Sequence, residues 1–196
     1  MTLRTIESLA DALGARTSLR LRWQGEDLDR LLDAAHAGLV EWVVAFLQPR
    51  GWDVVAEATF NVYGERGSID VLAFHPGSSC LLVVEVKSVV PDVQVTLAGI
   101  DRKARLAPGI ARDRGWRVRS VARLLALPSD RTARRRVARF AATFNLALPL
   151  RTVAVRHWLS APDNAIGGVI FLPINASTCA RHRTGARGRV SRTRPG

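Results

Sequence analysis

The chain reads as an α/β protein with a mixed central sheet and helices on both of its faces. Three observations predict this class. Residues 67–87 hold two apolar runs of strand length split by Pro76, Gly77, Ser78 and Ser79, the pattern of a β-hairpin or close strand pair. The second run, Leu81-Leu82-Val83-Val84-Glu85-Val86-Lys87, is mostly apolar on both alternating faces, as in a strand buried on two sides. Around this pair the hydrophobic periods follow the order α-β-β-β-α-β, and a crossover helix between strands puts helices on both faces of the sheet.

Taken in order, residues 2–13 form an amphipathic helix that Thr2 or Thr5 can cap, with Leu3, Ile6, Leu9, Ala10 and Leu13 as its stripe and Gly14 as its stop. Residues 18–23 alternate as a strand, with Leu19, Leu21 and Trp23 on one face. Residues 28–48 carry Leu28, Leu31, Leu32, Ala35, Leu39, Trp42, Val43 and Phe46 at helical spacing, ended by Pro49 and Gly51. Residues 52–63 are the first core strand, and Gly64-Glu65-Arg66-Gly67 turns the chain into the hairpin. Glu65, in that turn, reads as a solvated charge.

After Lys87 the link containing Pro91 leads to a second helix near Thr96, with Leu97, Ile100, Leu106 and Ile110 inward and Asp101, Arg102, Lys103 and Arg105 toward solvent. Pro108-Gly109 should kink or interrupt it. A strand over residues 118–124 closes the core order. Pro128-Ser129-Asp130 then caps a helix over residues 131–144, with Val137, Phe140, Ala141 and Phe144 inward and Arg134, Arg135, Arg136 and Arg139 clustered elsewhere. Residues 153–158 and 169–172 are two further strand candidates that extend the sheet or form a dimer edge. The tail from residue 177 is expected to be disordered and to add salt-sensitive nucleic-acid affinity.

The chemistry-bearing residues concentrate in the hairpin. A strand apolar on both faces is a poor place for a carboxylate and an ammonium without a purpose. Asp70 lies in the first run, where strand pairing can bring it near Glu85. Two close carboxylates repel unless a cation sits between them, and Mg²⁺ suits oxygen ligands. Lys87 shares the Glu85 face and could orient or activate a water or stabilise charge on a phosphorus centre. An Asp/Glu/Lys ion-pair cluster at a strand end is the other reading. Glu41 lies on a ridge of small residues, Ala34, Ala37, Gly38 and Ala45, that would let the helix approach the sheet closely and hold this carboxylate against the pair. A solvated Glu is the alternative. The four arginines at 134, 135, 136 and 139 are either a phosphate-contacting ridge, a solubilising face or a partner surface.

Gly67-Ser68-Ile69-Asp70 followed by Val84-Glu85-Val86-Lys87 resembles the core of the PD-(D/E)XK nucleases, and more closely its Holliday-junction-resolvase-like branch, over about residues 35–127. The resemblance implies a restriction-endonuclease-like fold and a Mg²⁺ or Mn²⁺ site on Asp70, Glu85 and the Val86 carbonyl. It implies that Glu41, in a Gly38-x-x-Glu41 spacing, binds the metal directly or through water, and that Lys87 positions the attacking water. Lys103 falls where that family usually has a basic residue, which could meet a phosphate beside Arg102 and Arg105. Residues 3–13 resemble the last helix of a Cro/cI-type helix-turn-helix, whose recognition helix would have to precede Met1.

The whole-chain properties agree with a polyanion partner. In 196 residues the formal charge is +12, and half of that excess comes from Arg181, Arg183, Arg187, Arg189, Arg192 and Arg194 in the tail. The two cysteines, Cys80 and Cys179, provide neither a disulfide framework nor a zinc quartet. Neither a signal-peptide pattern nor a long uncharged apolar run is present, so a cytoplasmic protein without a membrane partner is expected. The expected organisation is an N-terminal helix and strand (1–27), a nuclease-like core (28–128), a C-terminal helix and strand extension (129–176) and a basic tail (177–196). The expected activity is metal-dependent hydrolysis of DNA phosphodiesters, with a homodimer as one assembly. The competing class is a non-catalytic DNA-binding transcriptional regulator with a nuclease-like structural domain.

Overall fold

A computed structural model describes residues 3–14, 26–62 and 64–173. The strand expected at residues 18–23, Cys179 and the arginine-rich tail lie outside these. The chain forms two compact units, residues 1–30 and 31–196. In the first, helix α1 (Leu3–Ala12) ends where Leu13 donates to Leu9 and Ala10 carbonyls and Gly14 takes φ +65°, a left-handed turn that a glycine adopts without steric cost.

The second unit is a five-stranded mixed sheet in the order β1-β2-β3-β4-β5. Strands β1 (Asp53–Val62), β2 (Glu65–His75) and β3 (Cys80–Val86) run antiparallel as a meander. Strands β4 (Ser120–Pro128) and β5 (Gly167–Leu172) follow in parallel. Every residue of β3 is buried, because the strand is central and covered on both faces. The α-β-β-β-α-β order is therefore observed, and the last strand extends the same sheet.

Helix α2 (Glu26–Leu47) packs Leu39, Val40, Val43 and Leu47 on one face against Val71, Leu82, Val84, Val86 and Leu124. Its buried stripe is rotated from the one expected: Leu31 is 67% exposed, while Val40 and Leu47, absent from the expected stripe, are buried. Helix α6 (Thr152–Ser160) shares that face through Val155, Trp158 and Leu159. The opposite face carries α3 (Val93–Arg112), whose Leu106, Ala107 and Ile110 cover Leu72, Leu81 and Val83. The first turns of α3 bury Val93, Leu97 and Ile100 with Leu125, Leu127 and Phe144.

Several boundaries differ from expectation for physical reasons. Residues 153–158 are helical, because Val155, Trp158 and Leu159 at helical spacing reach the sheet together and that packing outweighs the strand preference of valine and tryptophan. Helix α3 starts earlier, at Val93, where Asp92 caps it by accepting the Val95 N–H, and it continues through Pro108. The missing backbone bond is tolerated because Leu106, Ala107, Ile110 and Ala111 are all buried on the sheet across the proline. The helix expected over residues 131–144 is two, α4 (Arg131–Arg139) and α5 (Ala141–Ala147), broken at Phe140, and Ala141 is exposed. Strand β4 begins later than expected and runs on to Pro128 because Leu124–Ala126 pair with both β3 and β5, and Leu127 and Pro128 continue the pairing with β5.

Candidate metal-binding and catalytic site

The site forms where the sheet comes apart. The β2–β3 ladder ends at Val71↔Val84, one position before Asp70 would face Glu85. On the other side the β1–β2 ladder pairs Ala56↔Val71 and Ala58↔Ile69 but skips Glu57, which lies opposite Asp70. Glu57 has φ +50°, a left-handed conformation that costs a non-glycine residue about 1–2 kcal/mol. The register thus sets Glu57, Asp70 and Glu85 in one row across three strands, where β2–β3 pairing stops and β1–β2 pairing is interrupted for one position.

The side chains fill the gap. Asp70 Oδ2 accepts the Val86 N–H at 2.6 Å, taking the place of a ladder carbonyl. Lys87 N–H donates to the Ala126 carbonyl, so the end of β3 stays held by β4 while it parts from β2. Lys87 Nζ lies 2.8 Å from Glu85 Oε1. Lys103, from α3, places Nζ 2.5 Å from Glu85 Oε2 and 3.4 Å from Asp70 Oδ1. Asp70, Glu85, Lys87 and Lys103 are therefore one contiguous cluster at the end of β3.

Burial and the Glu85 charge raise the Asp70 carboxyl above its usual pKa, against the lowering effects of the Val86 N–H, Lys103 and His36. Burial alone would lower Lys87, but its hydrogen bond to Glu85 and the charges of Glu85 and Asp70 outweigh that, and its pKa is raised. The contact with Glu85 thus favours the ammonium form of Lys87.

Two expected site residues, Glu41 and Lys103, are placed differently from expectation. Glu41 is exposed, on the side of α2 opposite Leu39, Val43 and Leu47, together with exposed Ala34, Ala37 and Ala45. The small-residue ridge does not face the sheet, so Glu41 is not brought to Asp70 and Glu85. The α2 side chain whose charge reaches Asp70 is His36, whose Nε2 is 3.7 Å from Glu57 Oε1. Sequence reasoning missed both residues; the signal available was that His36 lies three and four positions before Leu39 and Val40 on the buried stripe. Lys103 is not toward solvent: its side chain is 12% exposed and committed to the acidic pair. Arg102 and Arg105 are exposed, and Arg105 is paired with Glu65 at 2.9 Å, so Glu65 is a partnered charge.

The arginine cluster divides. Arg134, Arg135 and Arg139 are exposed, with Arg134 lying over the Phe171 ring and Arg139 over Phe140. Arg136 is half-buried and donates to the Pro91 carbonyl, tying α4 to the link before α3. It is an anchor and leaves the expected ridge with three members.

Among the described residues no group of three or more His, Cys, Asp or Glu side chains gathers as a metal cage. Asp70, Glu85 and the Val86 carbonyl nevertheless fit Mg²⁺ or Mn²⁺. All three offer hard oxygen donors, and Mg²⁺ is ordinarily held by one or two carboxylates with water and substrate phosphate completing its shell. Burial first and the neighbouring Glu85 charge second keep the Asp70 carboxyl raised, so a cation at the pair would favour its ionised form. No protein-family model, curated protein or solved structure matches this chain.

Proposed function

We propose that the protein is a Mg²⁺- or Mn²⁺-dependent nuclease of the PD-(D/E)XK type, with a restriction-endonuclease-like core and DNA as its substrate. The observation that carries the reading is the junction of Asp70, Glu85 and Lys87 where β2 and β3 diverge. Ordinary pairing would leave a closed ladder there. Instead a side-chain carboxylate substitutes for a backbone acceptor, and two carboxylates stand beside one another at the end of β3.

A divalent cation bound by Asp70, Glu85 and the Val86 carbonyl would supply Lewis-acid neutralisation of the scissile phosphate and a more acidic water. The protein's own residues do the rest. Glu85 holds Lys87, and the Lys87 ammonium donates hydrogen bonds that orient the attacking water and stabilise charge on the phosphoryl oxygens. As an ammonium it has no free pair with which to accept the water's proton. Exposed Arg102, Arg134, Arg135 and Arg139 supply positive charge for the nucleic-acid backbone without reading sequence.

A second reading has one observation in its favour: Lys87 and Lys103 match the two carboxylates charge for charge, as in a structural ion cluster. It would make the protein a non-catalytic DNA-binding regulator. End-labelled single-stranded, duplex and branched DNA incubated with Mg²⁺ or Mn²⁺ separates the two. Cleavage abolished by chelator and by Asp70→Asn is the nuclease result; salt-sensitive binding without cleavage is the regulator result.

A further inference from the structure

We propose that Lys103 is a resident stand-in for the divalent cation: its ammonium sits between Asp70 and Glu85, gives up that place when metal binds, and then engages a phosphate of the nucleic acid. The inference rests on the metal-site reading above and deepens it, because it makes metal and substrate binding interdependent.

Three features carry it. Lys103 Nζ contacts both carboxylates, at 3.4 Å from Asp70 Oδ1 and 2.5 Å from Glu85 Oε2, so it stands where an ion shared by the pair would stand. Lys87 touches only Glu85 within salt-bridge distance and is more exposed, 39% against 12%, so the two lysines are not equivalent. Lys103 is delivered by α3, a different element from the strands that hold the carboxylates, and its four-carbon stem has rotatable bonds. It can therefore leave without disturbing the Asp70–Val86 hydrogen bond.

Two cations cannot share the space between these carboxylates. A divalent ion with oxygen ligands competes directly with the ammonium, and a partly buried ammonium deprived of its carboxylates needs another anion. A phosphate of the bound strand meets that need. Metal-free, the site is thus held neutral and ordered; loaded, the same side chain contributes to substrate binding.

The test begins with Mn²⁺ binding to the full chain without nucleic acid, read from the electron paramagnetic resonance signal of free Mn²⁺. Lys103→Met should bind Mn²⁺ more tightly than wild type by about fivefold or more, the lower end of ordinary coupling between sites. Lys103→Arg, which keeps a cation on the same stem, should not show this gain. Equal or weaker Mn²⁺ binding by folded Lys103→Met overturns the inference while leaving the metal site standing. No saturable Mn²⁺ binding in either protein overturns the metal-site reading and the inference with it. Should Lys103→Met fail to fold, wild-type protein decides alone: Mg²⁺ titration should shift the Lys103 Cε/Hε resonances, assigned by their loss in Lys103→Arg. Unmoved Lys103 resonances at saturating Mg²⁺ refute displacement. DNA binding measured with Ca²⁺ should be strengthened by the cation more in wild type than in Lys103→Met; an equal gain in both excludes the phosphate role.

Discussion

Asp70 Oδ2 accepts the Val86 N–H at 2.6 Å, one position beyond the last β2–β3 backbone pair, Val71↔Val84. A side chain here finishes a ladder that the backbone has left. This bond fixes Asp70 beside Glu85 and keeps the buried Val86 N–H from being orphaned, so a single hydrogen bond serves both the fold and the site.

It also sets a pH dependence. The folded-state pKa of Asp70 is raised above its ordinary value of 3.8, chiefly by burial and then by Glu85. A carboxyl with a raised folded pKa contributes stability that is present below the unfolded value and lost as pH rises through the folded value. Metal-free wild type should therefore lose stability relative to Asp70→Asn as pH climbs from about 4 toward neutrality. Urea denaturation of both proteins in chelator checks this; a wild-type-minus-variant difference that is flat in pH contradicts it.

Gly67 lies opposite Phe60 in the β1–β2 pair, and a Cβ there would stand 2.8 Å from Phe60 Cζ. The Phe60 ring covers the glycine. Gly67→Ala should destabilise the protein by about 1–3 kcal/mol through overpacking. Combined with Phe60→Leu, which shortens the clashing group, the loss should be smaller than the sum of the two single changes. Denaturant melts of the four proteins give the coupling; strict additivity would refute the close approach.

The outward placement of Glu41 and the reach of His36 to Asp70 give opposite expectations for two residues of one helix. Glu41→Gln should leave the cleavage rate and Mn²⁺ affinity unchanged. His36→Ala, by removing the group that faces Glu57 and acts on Asp70, should alter both. Loss of cleavage in folded Glu41→Gln would restore Glu41 to the site.

Among the arginines, nucleic-acid binding and stability should separate. Arg134→Gln, Arg135→Gln and Arg139→Gln should each flatten the log–log salt dependence of affinity for duplex DNA, by about 0.9 for each phosphate that the arginine neutralises. Arg136→Ala should act on stability, because it removes the hydrogen bond to the Pro91 carbonyl. Filter binding across a salt series and thermal melts distinguish the two classes.

Much of the site was legible because strand patterning is local. The apolar runs of β2 and β3, with their turn between, place Asp70 and Glu85 in register without any knowledge of the remaining chain. The approach of α2 and α3 was not legible in the same way. Which side of a helix meets a sheet depends on packing across the whole face, and around Glu41 α2 is apolar on nearly every side, so a stripe through Leu39, Trp42 and Phe46 and a stripe through Val40 and Leu47 were equally good patterns there. The rotation between them turns Glu41 out and His36 in. Lys103 was hidden for the related reason that a lysine among Asp101, Arg102 and Arg105 looks solvated until the acidic pair beside it is known. The strand assigned to residues 153–158 failed because Val153 and Val155 fit the two-residue period while Val155, Trp158 and Leu159 fit the helical one, and only the sheet face beneath them chooses.

The most direct test of the nuclease reading is turnover by wild type and Lys87→Ala at equal concentration and matched salt, with DNA binding measured in parallel. Mg²⁺- or Mn²⁺-dependent cleavage by wild type, abolished in a folded Lys87→Ala that still binds DNA, is the expected result. Equal cleavage by both proteins would take Lys87 out of the chemistry, and equal binding with no cleavage by either would leave the Asp70–Glu85–Lys87 cluster as a structural feature of a DNA-binding protein.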